Sequence, residues 1–264
     1  AWNSRGVGMV AGMDRQTDSD VSLGFHFALA ARRTTVKGDH DATADTRLVL
    51  LGGQALYAPA AWDGAYLSGQ LRLGIEEGEM MRGVAFHAYA RQNESRWTAL
   101  TGSMLLGGGK DWTWHADEHR FTAGPLAWLD YSFVQRPEIN EYGGQASRLH
   151  LDPHLYDSLR LSLGAHIDYQ TPLTTDVSLG FSLLTAWRHE LLDGTFRTQA
   201  AFRGYEQQDF RSATDLTGRD ALLLQGGIRL NHSNGVFTQL DAGGEFFGYK
   251  TSAVNIGLNV GWTF

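Results

Sequence analysis

The chain ends in the segment Ala253–Phe264, AVNIGLNVGWTF, in which apolar residues alternate strictly with small or polar ones. The apolar positions are Val254, Ile256, Leu258, Val260, Trp262 and Phe264. Successive side chains of a β-strand point to opposite faces, so this strand has one apolar and one polar face. Its length is close to the roughly 9–11 residues with which a tilted strand crosses a bilayer. The pattern therefore predicts a transmembrane β-strand.

The same alternation recurs along the chain. The clearest segments are Val21–Leu29, Leu67–Ile75, Leu159–Tyr169, Val177–Leu183, Leu222–Leu230 and Val236–Phe246. A soluble β-sandwich also alternates, but these segments run to roughly ten residues, whereas globular strands average about five or six. With weaker segments included we count about eleven strands, the first at Val7–Arg15, and no linker divides them. We therefore predict one all-β domain over residues 1–264, a transmembrane antiparallel β-barrel of the twelve-stranded type.

Composition excludes several other classes of protein. The 264 residues include no cysteine, carry a formal net charge of −7 and have a mean hydropathy of −0.27. Without cysteine there is neither a disulfide scaffold nor a thiolate metal site. The densest basic run is only Arg32-Arg33, which argues against nucleic acid as a partner. No apolar run approaches the roughly 18 residues of a membrane helix, whereas the polar lumen of a β-barrel keeps its mean hydropathy low.

The connectors between the predicted strands alternate in length. The short ones are Thr17–Asp20, Ala60–Asp63, Pro172–Asp176 and Asn234-Gly235, and the last of these is a typical hairpin turn. The longer polar ones are Asp39–Asp45, Glu77–Ser95, Pro137–His154 and Gln207–Asp220. Bacterial outer-membrane barrels have short periplasmic turns and longer extracellular loops. We therefore place the short turns, and the end of the last strand, on the periplasmic side.

Charged residues in the polar phase of the strands are the candidates for the lumen. They are Asp14, His26, Arg32, Arg72, Glu76, His166, Asp168, Arg188, Arg229, Asp241 and Glu245. A cation at the bilayer centre costs about 2–4 kcal/mol, so these groups must face water or each other. The functional interpretation is a hydrated channel that holds an unfolded or helical segment without binding it tightly. The simpler interpretation is that they fill the interior of a barrel.

The order of several segments resembles a known family, the C-terminal translocator domain of classical type V autotransporters, whose barrel has twelve strands. Val7–Asp20 and Val21–Gly38 are similar to its second and third strands, and Thr122–Phe133 is similar to its seventh. Arg82–Phe86 (RGVAF), before a strand that ends in three glycines, resembles its central loop and sixth strand. Gly218–Gly227 (GRDALLLQGG) resembles the opening of its tenth strand.

The resemblance implies a function in the bacterial outer membrane: anchoring an N-terminal passenger and exporting it to the cell surface, without chemical catalysis. It implies three partners, namely outer-membrane lipid or lipopolysaccharide, the β-barrel assembly machinery and the passenger itself. We expect a monomer with no cofactor and no nucleic-acid partner. Val260, Trp262 and Phe264 are then the assembly signal at the end of the chain.

The front of the chain departs from the family pattern. Family members have a pore helix and a first strand before the segment that matches Val7, but here only Ala1–Gly6 precede it. We therefore expect the chain to begin in the first extracellular loop, to lack the pore helix and the first strand, and to be a mature or excised fragment without a signal peptide.

Two other functions and one metal site are alternatives to this interpretation. A passive porin or small-solute channel is the main alternative to a translocator. A barrel hydrolase lacks support, because neither HExxH nor GxSxG occurs among the residues. Asp39, Asp41 and Asp45 match three positions of an EF-hand loop, but Ala44 and Leu50 replace its glycine and its bidentate glutamate. We therefore expect no metal site and no catalytic residues.

Overall fold

A computed structural model describes residues 2–17, 20–37, 41–193, 195–215, 218–248 and 251–262. Strands dominate these residues, and the helical elements are two short 3-10 turns, Ala60–Trp62 and Gln145–Ser147. No helix in the described part is long and apolar enough to cross a membrane. The strands are β1 (Trp2–Gln16), β2 (Val21–Val36), β3 (Ala42–Tyr57), β4 (Ala65–Phe86), β5 (Tyr89–Lys110), β6 (Trp112–Ala116), β7 (His119–Arg136), β8 (Ile139–Asn140), β9 (Tyr142–Gly143), β10 (Leu149–Leu151), β11 (His154–Pro172), β12 (Val177–Glu190), β13 (Thr195–Phe202), β14 (Phe210–Asp215), β15 (Asp220–His232), β16 (Val236–Gly248) and β17 (Thr251–Trp262).

One curled antiparallel sheet contains the long strands. Its order is β1-β2-β3-β4-β5-β7-β11-β12-β15-β16-β17, with β6 beside β7 and β9 beside β5. Neighbours in this path follow each other along the chain, as in a barrel built from successive hairpins. The all-β antiparallel prediction is therefore confirmed, as is the estimate of about eleven strands. In the described residues β1 and β17 form the two edges of the sheet and are not paired with each other.

The strand registers separate two faces. Directly paired residues lie on the same face, and one such row, listed across β1 to β5, is Met9, Leu29, Val49, Ile75 and Leu100. The apolar face of the sheet stays exposed: Leu51 is 65% exposed and Ile256 76%. Apart from Ile139, the buried apolar residues in the described part are alanines. A surface this apolar is stable only against lipid, so we call this face the outer face and the opposite one the inner face.

Aromatic side chains form a row on the outer face near the short connectors. Trp114 stacks on Phe121 with ring centroids 5.8 Å apart, and Phe121 lies 4.9 Å from Tyr169. Tyr169 in turn stacks on Phe181 at 6.2 Å. Amphipathic aromatic rings favour the boundary between hydrocarbon and water. The row therefore marks one rim of the apolar band.

Glycine permits close strand packing on the inner face. A Cβ atom at Gly74 would lie 2.0 Å from the carbonyl oxygen of Val49 on the neighbouring strand. Such a contact is impossible without a shift of the backbone. The absence of side chains at positions of this kind lets the sheet curl tightly.

The longer connectors were predicted incorrectly in part. Glu77–Ser95 is not a loop: β4 and β5 continue through it, and Phe86 pairs with Tyr89 across a two-residue turn in which His87 has φ 50°. Strands that extend beyond the membrane have water on both faces, so they need no apolar alternation. Residues Asn3–Gly6 likewise belong to β1, where they pair with β2.

A second sheet includes parts of two other predicted loops, Pro137–His154 and Gln207–Asp220, together with β13, which precedes the second of them. It has the order β14-β13-β10-β8 and combines segments of Pro137–His154 with the residues between β12 and β15. Leu149–Leu151 pairs with β13 on one side and with β8 on the other. These strands are two to eight residues long, too short for a periodic pattern to reveal.

Candidate functional site

The inner face of the main sheet is the candidate site. The registers place all eleven of the charged residues predicted for the lumen on this one face. From β1 to β16 they are Asp14, His26, Arg32, Arg72, Glu76, His166, Asp168, Arg188, Arg229, Asp241 and Glu245. Strand alternation was sufficient to group them because the period of a strand is two.

Polar contacts cross from strand to strand at the β1–β4 side of this face. The Gln54 side-chain amide donates to Asp14 at 2.6 Å and accepts from Gln70 at 3.2 Å. Arg72 Nε donates to His26 Nε2 at 3.1 Å, so that this ring nitrogen is the acceptor. A chain of hydrogen bonds therefore links residues 56 positions apart in sequence, counted from Asp14 to Gln70.

Two further groups of polar contacts lie on the inner face. Arg32 and Glu76 approach within 4.0 Å. Farther along the sheet, His166 Nε2 lies 3.3 Å from Asp111 and 3.6 Å from Asp168. Asp111 is in the turn after β5, and only the pairing of β5, β7 and β11 brings it to His166.

The β12–β17 side carries another group. Arg188 forms an ion pair with Glu245 at 3.0 Å. Asp241 accepts hydrogen bonds from Gln239 at 2.6 Å and from Asn259 at 2.5 Å. Asn259 lies in the terminal strand, so the inner-face network reaches the edge of the sheet.

Some inner-face partners were missed by the sequence analysis. Arg160 pairs with Glu190 at 3.1 Å, and both residues lie on the inner face. Arg160 alternates with apolar residues in a predicted strand, and this alternation could have assigned it to the inner face. Glu190 lies beyond the part of β12 that alternates clearly, so there was no such indication for it. Arg229, which was predicted, also places its guanidinium 3.7 Å from the ring centroid of Phe237.

A buried ionic cluster holds the loop after β7 onto the extension of β4 and β5. The Glu141 carboxylate is almost fully buried and accepts two hydrogen bonds from Arg82, at 2.9 and 2.6 Å. It also accepts from Asn93 at 3.1 Å and from the Leu149 backbone N–H at 2.8 Å. Four donors compensate the cost of burying the charge. Arg82 opens the RGVAF segment noted in the sequence, but nothing in the sequence marked Glu141 or Asn93 as its partners.

The remaining predicted positions lie elsewhere. Val260 and Trp262 are exposed on the outer face of β17, and Phe264 lies outside the described residues. Asp45, from the rejected EF-hand pattern, is in β3 and accepts two hydrogen bonds from Arg33, at 2.6 and 2.8 Å. Asp39 also lies outside the described residues.

A curled antiparallel sheet with a lipid-compatible outer face and a charged inner face defines an outer-membrane β-barrel protein. Comparison with known families then identifies which kind: the sequence model of the autotransporter β-domain matches residues 1–243. The chain belongs to the autotransporter β-domain family, which confirms the resemblance described above. It is therefore a protein of the bacterial outer membrane.

Similar sequences and similar solved structures support this family assignment. An extracellular serine protease of Serratia marcescens is 25% identical over 259 residues, which cover 97% of this chain but 23% of that protein. The translocator domain of the autotransporter NalP from Neisseria meningitidis has a TM-score of 0.70 at 15% identity, covering all of this chain and 82% of the other. The transport unit of AIDA-I from Escherichia coli has a TM-score of 0.69 at 10% identity, covering all of this chain and 84% of the other. These structures share the fold of a translocator unit.

Proposed function

We propose that the chain anchors a passenger in the outer membrane and lets it cross to the cell surface along the inner face. The observation that carries the proposal is the continuous, charged inner face opposite an apolar outer face, in a member of the autotransporter β-domain family. The eleven charged residues of the lumen prediction would line the path. We further propose that the domain performs no chemical catalysis.

Pairing of opposite charges explains how such a path would favour transit. Arg188 with Glu245 and Arg160 with Glu190 neutralise each other locally, so no large field of one sign would trap a passing segment. Polar side chains also keep water in the path, which prevents apolar parts of the passenger from adhering to it. Folding of the passenger outside the cell would then bias its motion outward.

The partners follow from the two faces and from the terminal strand. Lipid and lipopolysaccharide would cover the outer face, and the domain would work as a monomer. The β-barrel assembly machinery would engage β17 by strand addition, with Val260, Trp262 and Phe264 as its signal. Deletion of residues 254–264 should then abolish insertion in cells; unchanged insertion would exclude that role.

Single cysteines provide the test of transit, because the chain has none of its own. Ser182 lies on the inner face of β12, and Leu183, the next residue, is exposed on the outer face. In the full-length protein in cells, Ser182→Cys should form a disulfide with a cysteine in a passenger that has stalled during export, whereas Leu183→Cys should not. The two variants carry the same thiol at nearly the same depth and differ only in face.

The outcomes separate the proposal from the porin alternative. Equal cross-linking of both variants would exclude passage along the inner face. A porin predicts no passenger cross-link from either variant, together with uptake of small solutes by intact cells. As a control, both variants should still display a passenger that does not stall, and cleavage of that passenger by external protease measures its display.

A further inference from the structure

Two arginines face each other across β1 and β2 on the outer face. Arg5 is the direct cross-strand partner of Arg33, and both are exposed. Side chains at directly paired positions have Cβ atoms only about 4.5–5.5 Å apart, and like charges at this distance repel. Asp45, the partner of Arg33 on β3, compensates the charge of Arg33 on the side away from Arg5, so the charge of Arg5 is left for another anion.

The position of the pair relative to the apolar band matches the layer of lipid headgroups. Met9 and Leu29 form an apolar row of the outer face, and Val7 pairs with Ala31 one row above it. Arg5 and Arg33 form the next row outward, two residues along each strand from Val7 and Ala31. At 3.4 Å per residue and a tilt of about 40°, this row lies roughly 5 Å farther from the membrane centre. The headgroup layer extends about 5–8 Å beyond the hydrocarbon on each side.

The pair is also partly preorganised. Arg33 is 68% exposed, and Asp45 holds its guanidinium with two hydrogen bonds. A guanidinium has five N–H donors, so three remain for another acceptor. Among the described residues, no ion pair is formed by Arg5. Phosphate is the anion that best matches guanidinium donors in shape and charge.

We propose that Arg5 and Arg33 bind a phosphate group of a lipid in the outer leaflet, that is, of lipopolysaccharide. The pair lies at the end of the sheet from which the β4–β5 hairpin extends, opposite the short connectors, and this end faces the cell exterior. The occupant is a lipid because the site is continuous with the apolar band that lipid chains cover. This inference rests on the proposed orientation in the outer membrane.

Binding of diphosphoryl lipid A to the purified full-length protein in dodecyl maltoside, followed by native mass spectrometry, tests the proposal. Arg5→Gln and Arg33→Gln should each weaken the apparent affinity about tenfold, the lower range for a charge-assisted hydrogen bond. Arg15→Gln is the matched control, because Arg15 lies on the same face of β1 at the opposite rim. It should change the affinity less than about twofold.

Several results would overturn the proposal. Dephosphorylated lipid A that binds as well as the diphosphoryl form would exclude phosphate recognition. Inorganic phosphate that competes fully at the same phosphate concentration would indicate a free-anion site rather than a lipid site. Equal losses in Arg5→Gln and Arg15→Gln would show a general charge effect. Unfolding midpoints without lipid identify misfolded variants, and Arg33→Lys, which keeps the charge, should then regain part of the affinity.

Passenger export in the same variants keeps this inference separate from the proposed function. If Arg5→Gln and Arg33→Gln both export the passenger normally and both still bind lipid A, the arginine site alone is refuted and the translocation proposal stands. Lost export in a protein that still binds lipid A through the two arginines would refute translocation alone.

Discussion

Leu71→Arg tests the physical basis of the fold, namely that lipid covers the outer face. Leu71 is 53% exposed and lies at the middle of the apolar outer-face residues of β4, four positions from both Leu67 and Ile75. Four residues at 3.4 Å each and a tilt of about 40° place it roughly 10 Å from either rim. An arginine there has no water nearby, so we expect a loss of about 2–4 kcal/mol in the free energy of unfolding.

Gln70→Arg is the matched control for this substitution. Gln70 is the preceding residue and lies on the inner face, 3.2 Å from Gln54 and close to Asp14 through that residue. An arginine at position 70 would face water and the Asp14 carboxylate, so its cost should stay below about 1 kcal/mol. Both variants add one positive charge at almost the same depth, and they differ only in the face of the sheet that carries it.

The measurement is equilibrium unfolding of the purified protein in lipid vesicles, with guanidinium chloride as denaturant and tryptophan fluorescence as the signal. A loss of 2–4 kcal/mol for Leu71→Arg corresponds to a change of about 30- to 900-fold in the folding equilibrium constant. Equal destabilisation by the two substitutions would refute the assignment of faces, and with it the barrel. A soluble sheet would tolerate arginine at the exposed Leu71 with little cost.

Three further predictions concern the loop cluster, a glycine and an exposed carboxylate. Glu141→Leu removes the carboxylate that neutralises Arg82 and should destabilise the loop after β7 by about 3 kcal/mol, seen as faster hydrogen exchange in that loop alone. Gly74→Ala should destabilise the sheet by about 1–3 kcal/mol in vesicle unfolding, whereas Gly257→Ala, where a Cβ would meet nothing within 4 Å, should have little effect. Hydrogen bonds from Thr195 lower the pKa of Asp193, so its stabilising contribution is present above about pH 4 and is lost as the pH falls through the lowered value; the β13 amides should then show NMR shifts on acidification that Asp193→Asn removes.

The faces of the sheet could be predicted from the sequence because strand alternation is local information. Leu222 and Arg229 were assigned to opposite faces from their position in one segment, and the registers place them so. The extent of β4 was not predictable in this way. Beyond Ile75 the strand leaves the membrane, both of its faces meet water, and the alternating pattern that defines a membrane strand no longer has a physical cause.

Contacts between side chains are a different kind of information, because they depend on registers between distant segments. Arg5 and Arg33 are separated by 28 positions, and neither belongs to a motif, yet the pairing of β1 and β2 places them side by side. Glu141 and Arg82 are likewise 59 positions apart. Alternation fixes the face of each residue but leaves its partner open, since a shift of two residues in register would keep every face and change every pair. For this reason a membrane barrel can be recognised from its sequence, whereas the charge pairs that give one barrel its own binding properties can be identified only from its structure.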